Sequence, residues 1–342
     1  MGKADTHTHT TYSGYNTKVG KLRFPESVIG PEVQVDNARR NGVDVLCITD
    51  HNAVAGGIVG QKYAKQFDDI EVVVGDEVMT DSGEVIGLWL TEKVKPMLSP
   101  EEAVDIIHEQ GGLAIAPHPF SVHVDGLQEK ALELPLEGLE TINGGHPDPY
   151  SNMFAQKVVD LFPGRWAATS GSDAHAVCTS NYNWTEFPGS TAEDFRKAIL
   201  NKTTVPCGQP APVFGQFQWS YEVVMGGQKL MYKALRHKLE PVPDNDLITK
   251  CISNTDLKSA TGIVMGFVYN MPFTAMLATL ISTGVLKRRA KKALKGIEAR
   301  LESIQKLVAE IDSKKVLALT GEDVSPLKEA VAEMELSHVR AH

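Results

Sequence analysis

The sequence predicts an α/β domain followed by a mainly α-helical C-terminal region, on three observations. Short apolar runs alternate with helix-compatible stretches from the N-terminus to about residue 205. Side chains suited to metal and acid–base chemistry stand just past the ends of those runs, where a β/α barrel gathers its catalytic groups. After Pro210 and Pro212 the alternation stops and helical spacing takes over. A chain of 342 residues is long enough for one large or two modest domains. The change of character divides it into 1–212 and 213–342.

The strand candidates are 4–8, 43–49, 71–74, 84–90, 113–116, 138–142 and 166–170. The run Val45-Leu46-Cys47-Ile48-Thr49 is apolar enough for a parallel strand buried on both faces. Between the runs, 100–110 and 152–162 carry helical spacing with charged faces. Beyond residue 212, 217–239 reads as a helix that Pro241 and Pro243 terminate.

Residues 259–286 contain no Asp, Glu, Lys, Arg or His, a length that can cross a bilayer. Asn270, Pro272 and several Gly and Thr residues lower the hydropathy of this run, so membrane contact and a buried helical hairpin stay open as alternatives. The segment 287–312 opens with Lys287, Arg288, Arg289, Lys291 and Lys292 and then reads as a short heptad helix. Leu294, Ile297, Leu301, Ile304, Val308 and Ile311 form its a/d seam. A seam this short serves either a homodimer through 290–311 or packing on its own chain.

Composition sets outer bounds. Hydrophobic residues make up 42%, which excludes a disordered chain. With 34 Lys and Arg against 43 Asp and Glu, the net charge of −9 argues against coating an extended nucleic-acid duplex, while a small phosphate ester in a local pocket stays compatible. Cys47, Cys178, Cys207 and Cys251 form no C-x-x-C pair, as expected of reduced thiols. Residues 1–11 carry no apolar signal core, and the expected location is cytoplasmic, with membrane association through 259–286 as the open variant.

The chemistry begins at His7-Thr8-His9. Residues i and i+2 of a strand share a face, so both imidazoles reach one ion. Asp50-His51, Asp76-Glu77, His118, Asn143, and Asp173 with His175 each follow a further strand candidate. Imidazoles and carboxylates without a cysteine cluster suit Zn²⁺, Mn²⁺ or Fe²⁺. There is more ligand here than one ion can use. Two or three bridged divalent ions fit better, with Glu77 as the bridging carboxylate.

These motifs carry a resemblance. His7-Thr8-His9-Thr10-Thr11-Tyr12-Ser13, Thr49-Asp50-His51-Asn52, Gly75-Asp76-Glu77, Pro117-His118-Pro119-Phe120 and Gly171-Ser172-Asp173-Ala174-His175 resemble, in order, the motifs of the PHP (polymerase and histidinol phosphatase) superfamily of metal-dependent phosphoesterases, over about residues 4–210. The resemblance implies a distorted (β/α)7 barrel with two or three metals. It implies that His7, His9, Glu77 and Asp173 hold one ion, that Glu77 and His118 share a second, and that His51 and His175 hold a third. Asp50 and Asn143 are then partners that orient the ligands.

The chain departs from the family pattern at three places. Ser13-Gly14-Tyr15 lacks the Asp that many members carry there. Glu84 stands where others have a His and keeps a metal-ligating group. His123 and Gly145 stand near the positions of arginines that clamp phosphate in related phosphatases. Lys18, Lys21 and Arg23 are the candidate substrate-binding cations, and His123 and His146 the candidate catalytic side chains, His146 as an acid or substrate contact.

The function expected is phosphoester hydrolysis in a small metabolite, nucleotide or short oligonucleotide, by a hydroxide bridging two ions. Two alternatives remain. One is hydrolysis of an amide or carboxylic ester at the same site, and the other a non-catalytic metal-stabilised scaffold bearing a membrane or dimerisation module.

Overall fold

A computed structural model describes residues 1–14, 17–19, 22–146, 148–180, 182–253 and 272–320. The chain opens with β1 (Gly2–Thr8), the hairpin β2 (Thr17–Val19) and β3 (Leu22–Phe24), and α1 (Pro31–Arg40). It continues through β4 (Val45–Ile48), α2 (Ala55–Ala64), β5 (Glu71–Thr80), β6 (Gly83–Leu88) and α3 (Pro100–Glu109). Next come β7 (Leu113–Ala116), β8 (Gly138–Asn143), α4 (Ser151–Leu161), β9 (Ala167–Gly171), β10 (Asn183–Phe187), α5 (Ala192–Leu200) and β11 (Val205–Gly208). Among the described residues four helices follow: α6 (Val213–Leu235), α7 (Asp246–Ser253), α8 (Pro272–Leu294) and α9 (Ile297–Thr320).

Nine strands form one sheet in the order β11-β10-β1-β4-β5-β6-β7-β8-β9. The sheet nearly closes on itself. Past the end of β1, His9 N–H donates to Ala174 C=O at 3.1 Å, and just beyond β9 Asp173 N–H donates to His7 C=O at 2.7 Å. All seven expected strands enter the sheet, but it is not a plain (β/α)7 barrel.

Two features account for the difference. First, β6 runs antiparallel to both β5 and β7, because the turn at Asp81-Ser82-Gly83, with Gly83 at φ +120°, sends the chain straight back without a crossover helix. Second, β10 and β11 extend the β1 edge in antiparallel register. In Asn183-Trp184-Thr185-Glu186-Phe187 every second residue is buried, so the strand has the period-two pattern of a half-buried sheet with polar residues at buried positions.

The crossover helices follow local signals. Pro100 starts α3 behind a reciprocal capping box between Ser99 and Glu102. The side of α3 carrying Ala103, Val104 and Ile107 enters the main core with Leu139, Phe120, Phe154 and Val158. A second cluster joins Ala4, Val45, Cys47, Val73, Ile86 and Ile115 to Phe187 and Phe195.

The expected heptad helix is two helices. Gly296, with low helix propensity, interrupts it between Leu294 and Ile297. The seam packs on the chain's own barrel: Ala290, Ile304 and Val308 are buried in the main core, with Leu294, Ile297, Leu301 and Ile311 against them. Of the uncharged run 259–286, residues 259–271 lie outside the described residues and 272–286 begin α8. Among the described residues no helix is long and apolar enough to cross a membrane.

Arg300 fastens α9 to the barrel. Its guanidinium donates to Glu129 Oε1, Tyr150 Oη and Gln128 Oε1 at 2.7 to 2.8 Å and lies over the Phe154 ring at 4.7 Å. Replacing it leaves the buried Tyr150 and the Glu129 carboxylate without their shared cation. Arg300→Ala is expected to lower stability by about 2 kcal/mol in urea denaturation, with the urea dependence unchanged.

Candidate metal centre

The strand ends converge on one carboxylate. Glu77, fully buried in β5, places Oε2 3.2 Å from His7 Nε2, from His9 Nε2 and from His51 Nδ1, and Oε1 3.1 Å from His118 Nε2. His7 lies in β1 and His9 just past its end. His51 follows β4 and is bridged to Glu77 across the β4–β5 pair. His118 follows β7, with its backbone at φ +30°. Asp173 follows β9 at φ +50°, its Oδ1 3.2 Å from His9 Nε2 and 3.5 Å from His7 Nε2. Two non-glycine residues in the positive-φ region that favours glycine, at one site, mark a backbone held in place by its surroundings.

The reversal of β6 brings in Glu84. An all-parallel strand would carry its first residues away from the site, whereas the hairpin returns Glu84 beside Met79 in β5. Its carboxylate lies 3.8 Å from His51 Nδ1 and 3.7 Å from His118 Nε2. All eight candidate ligands therefore meet, in four overlapping groups: His7, His9 and Asp173; His7, Glu77 and His118; His51, Glu77 and Glu84; His9, His51 and His175.

The donor set fits cations. His7 Nε2 and His9 Nε2 are 3.0 Å apart, and two imidazolium N–H groups cannot both point at each other across that gap. Glu77 Oε2, His51 Nδ1 and His175 Nε2 are buried and lack hydrogen-bond partners although carboxylates or imidazoles stand close by. Such atoms aim at a common point rather than at each other, as ligands of one ion do.

The buried carboxylates make the site strongly favourable to positive charge. Burial opposes charge on His7, but Glu77, Asp173 and Glu140 outweigh it and hold its pKa well above the usual imidazole value. Burial likewise opposes charge on His9 and His118, yet hydrogen bonds to Asp173 and Glu77 raise His9 to about 10, and the bond to Glu77 raises His118 to about 9. Burial lowers His51 to about 4. It also raises Glu84 to about 8, with the Glu77 charge adding to the effect. Glu77 itself is held well below the carboxylate range, because the charges of His7 and His51 exceed its burial cost.

A surrounding shell fixes these ligands. Asp50 accepts from Thr10 N–H, Thr10 Oγ1 and Ser13 Oγ at 2.6 to 2.7 Å, and Ser13 Oγ lies 3.0 Å from His9 Nδ1. Asp50 thus orients His9 through Ser13. Asn143 donates from Nδ2 to Asp173 Oδ2 at 3.2 Å and to Glu140 Oε2 at 2.8 Å.

Three contributors escaped the sequence reading. Glu140 stands 3.2 Å from His7 Nδ1 and accepts from His118 N–H at 2.8 Å. Asp5 accepts from Ser172 N–H at 2.8 Å. The signal for both was an acidic residue inside a strand run. Glu26, just past the β2–β3 hairpin, sets Oε1 3.4 Å from His175 Nε2 with its other oxygen buried and unpartnered. Burial opposes its charge, but the bond to His175 and the charges of His175 and His51 bring Glu26 down to about 2.

A cavity of about 240 Å³ opens beside the ligands. His123, His146, Asp173 and His175 line it from the barrel, and Gln216, Trp219, Ser282 and Leu286 from α6 and α8. His146 is buried with both ring nitrogens unpartnered, and burial together with the neighbouring His123 and His118 holds it well below the usual pKa. Burial also lowers His123, against the pull of Asp148, whose Oδ2 is 3.7 Å away. Of the expected substrate-binding cations, Lys18 and Arg23 pair across the β2–β3 hairpin, and Lys21 lies outside the described residues. Among the described residues lining the cavity there is no lysine or arginine.

Fold and site together define a barrel-like α/β protein with a candidate metal centre. The chain belongs to the family of the uncharacterised protein MJ1587 of Methanocaldococcus jannaschii, with which it shares 46% identity over 162 residues, 47% of this chain and 94% of that one. No family model matches the chain. Among solved structures, PsfC from Pseudomonas syringae PB-5123 aligns with TM-score 0.44 and 19% identity, over 67% of this chain and 98% of that one. A protein of Bifidobacterium adolescentis ATCC 15703, proposed to be a metal-dependent phosphoesterase, aligns with TM-score 0.41 and 15% identity, over 58% and 96%.

Cation binding here must displace protons, since His9 at about 10 and His118 at about 9 hold theirs at neutral pH. Titration with Mn²⁺ or Zn²⁺ in buffers of different ionisation enthalpy is expected to report net proton release. Affinity is expected to rise with pH from about 6 to 8.

Proposed function

We propose that the protein is a metal-dependent hydrolase that cleaves phosphoester bonds in a small phosphorylated molecule. One observation carries the reading: a buried carboxylate, Glu77, lies within 3.2 Å of four imidazoles delivered by three strand ends. A structural ion needs four closed ligands, whereas this set offers bridging capacity and opens onto a cavity.

His7, His9, Glu77 and Asp173 are suited to one ion, and Glu77, His118 and Glu84 to a second. His51 and His175 are suited to a third, and Glu26 supplies that pair with the carboxylate the Ser13-Gly14-Tyr15 motif lacks. Divalent ions bound there supply Lewis acidity toward a phosphoryl oxygen and acidify water at neutral pH. The protein's own groups do the rest. Asp50 and Glu140 lock the His9 and His7 rings, so the ligands need no reorganisation during the reaction. His146, facing the cavity beside His118, stands where its ring N–H can donate a hydrogen bond to a leaving-group oxygen. His123, in edge contact with His146 at 4.2 Å, keeps that ring in place.

A second reading, hydrolysis of an amide or carboxylic ester, is favoured by the lack of lysine and arginine among the described lining residues. Paired panels of phosphomonoesters and phosphodiesters beside amides and carboxylic esters, with Mn²⁺ and after chelation, separate the two. Chelator-sensitive turnover on phosphoesters alone is the expected result, and turnover confined to amides or esters would replace the reading.

The double variant His7→Ala and His9→Ala is expected to abolish turnover and remove bound metal while the circular dichroism spectrum stays native. Retained turnover would sink the proposal. Glu26→Gln is expected to lose about one metal equivalent in elemental analysis, with affinity at that position down roughly tenfold or more.

A further inference from the structure

The cavity beside the metal ligands has two walls of different origin. The barrel supplies the histidines, and the C-terminal helices supply the opposite side through Gln216, Trp219 and Ser220 of α6 and Ser282, Thr283 and Leu286 of α8. Trp219 brings its ring 5.6 Å from that of His175, so this wall reaches the ligands themselves. A volume of about 240 Å³ holds roughly eight waters' worth of liquid, space for one small organic molecule and not for a polymer strand.

A phosphorylated substrate brings two negative charges into this space, and the lining has no lysine or arginine to meet them among the described residues. Helix periodicity points to the missing cation. Ser282, Leu286 and Arg289 are spaced by four and three, so they follow one face of α8 from the cavity to its rim. Ala290, the next residue, is buried in the main core and pins the helix at that height. Arg289 is exposed, has no acidic partner among the described residues, and lies close enough for its charge to act on the His123 ring. A long guanidinium side chain at a cavity rim can fold over a bound phosphate and donate two parallel N–H bonds to it.

We propose that α6 and α8 form the substrate-binding wall of the metal centre, and that Arg289 is the cation that grips the phosphate of a small phosphorylated substrate. This assignment rests on the phosphoester reading above. It places the anion clamp on a helix outside the barrel, from residues 213–342.

The test uses the full-length chain loaded with Mn²⁺, with metal content fixed by elemental analysis and inorganic phosphate as the probe in isothermal titration. Arg289→Ala is expected to keep the wild-type metal content and melting temperature while weakening phosphate binding roughly tenfold, and Arg289→Lys to recover part of the loss. With a turned-over phosphomonoester, KM rises and kcat changes less. If Arg289→Ala binds phosphate as the wild type does, the Arg289 assignment is overturned and the phosphoester reading stands. If the metal-loaded wild type binds no phosphate, both are overturned.

Discussion

A carboxylate with no solvent-accessible surface, ringed by imidazoles, is the constraint on which the rest of this structure depends. Glu77 can stay charged only because His7, His9, His51 and His118 reach it from three strands, and each must arrive within a few tenths of an ångström. The near-closed sheet is what makes that convergence possible. Strand ends that splayed, as in an open twisted sheet, would leave the histidines too far apart to share one acidic group. The buried polar residues around the ligands follow from the same need. Asp5, Asp50, Glu140 and Asn143 are each paired with a backbone or side-chain group, so the interior tolerates their polarity in return for fixed ring orientations.

Much of this was legible in the sequence because apolar runs and chemistry alternate so sharply. Strands such as Val45–Ile48 are buried along their whole length, and a run of that kind announces both itself and the residue that follows it. His51, His118 and Asp173 were visible for that reason. The strand Asn183–Phe187 was not, because its buried positions include Asn183 and Thr185, polar residues that hydrogen-bond to Ser170 of β9. The reversal of β6 was equally hidden, since a two-residue turn does not declare the direction of its strand to a pattern of hydrophobicity.

The unseen site residues have a common character. Glu26 reaches His175 across almost the whole barrel in sequence terms, from a loop after a hairpin, with no periodicity to flag it. Glu140 hides within an apolar strand, and Gln216 and Trp219 come from a helix whose sequence reads as packing surface. Local pattern finds residues that an element delivers by its end. It does not find those that tertiary packing delivers from the side. The heptad seam shows the complementary limit: the spacing of Leu301, Ile304 and Val308 marks a buried stripe but does not say what buries it, and the answer is this chain's own α4 and Phe120.

The two-residue joint between α8 and α9 separates two duties. On its far side, Arg300, Ile304 and Val308 bolt the region to the barrel, while on its near side Ser282, Thr283 and Leu286 shape the cavity. Apart from Ala290 and Leu294 at the end of α8, residues that secure the attachment and residues that contour the opening therefore occupy different helices. Drift on the one leaves the other undisturbed, so a lineage carrying this architecture can vary what fits beside its metal ligands without first loosening the scaffold that holds them.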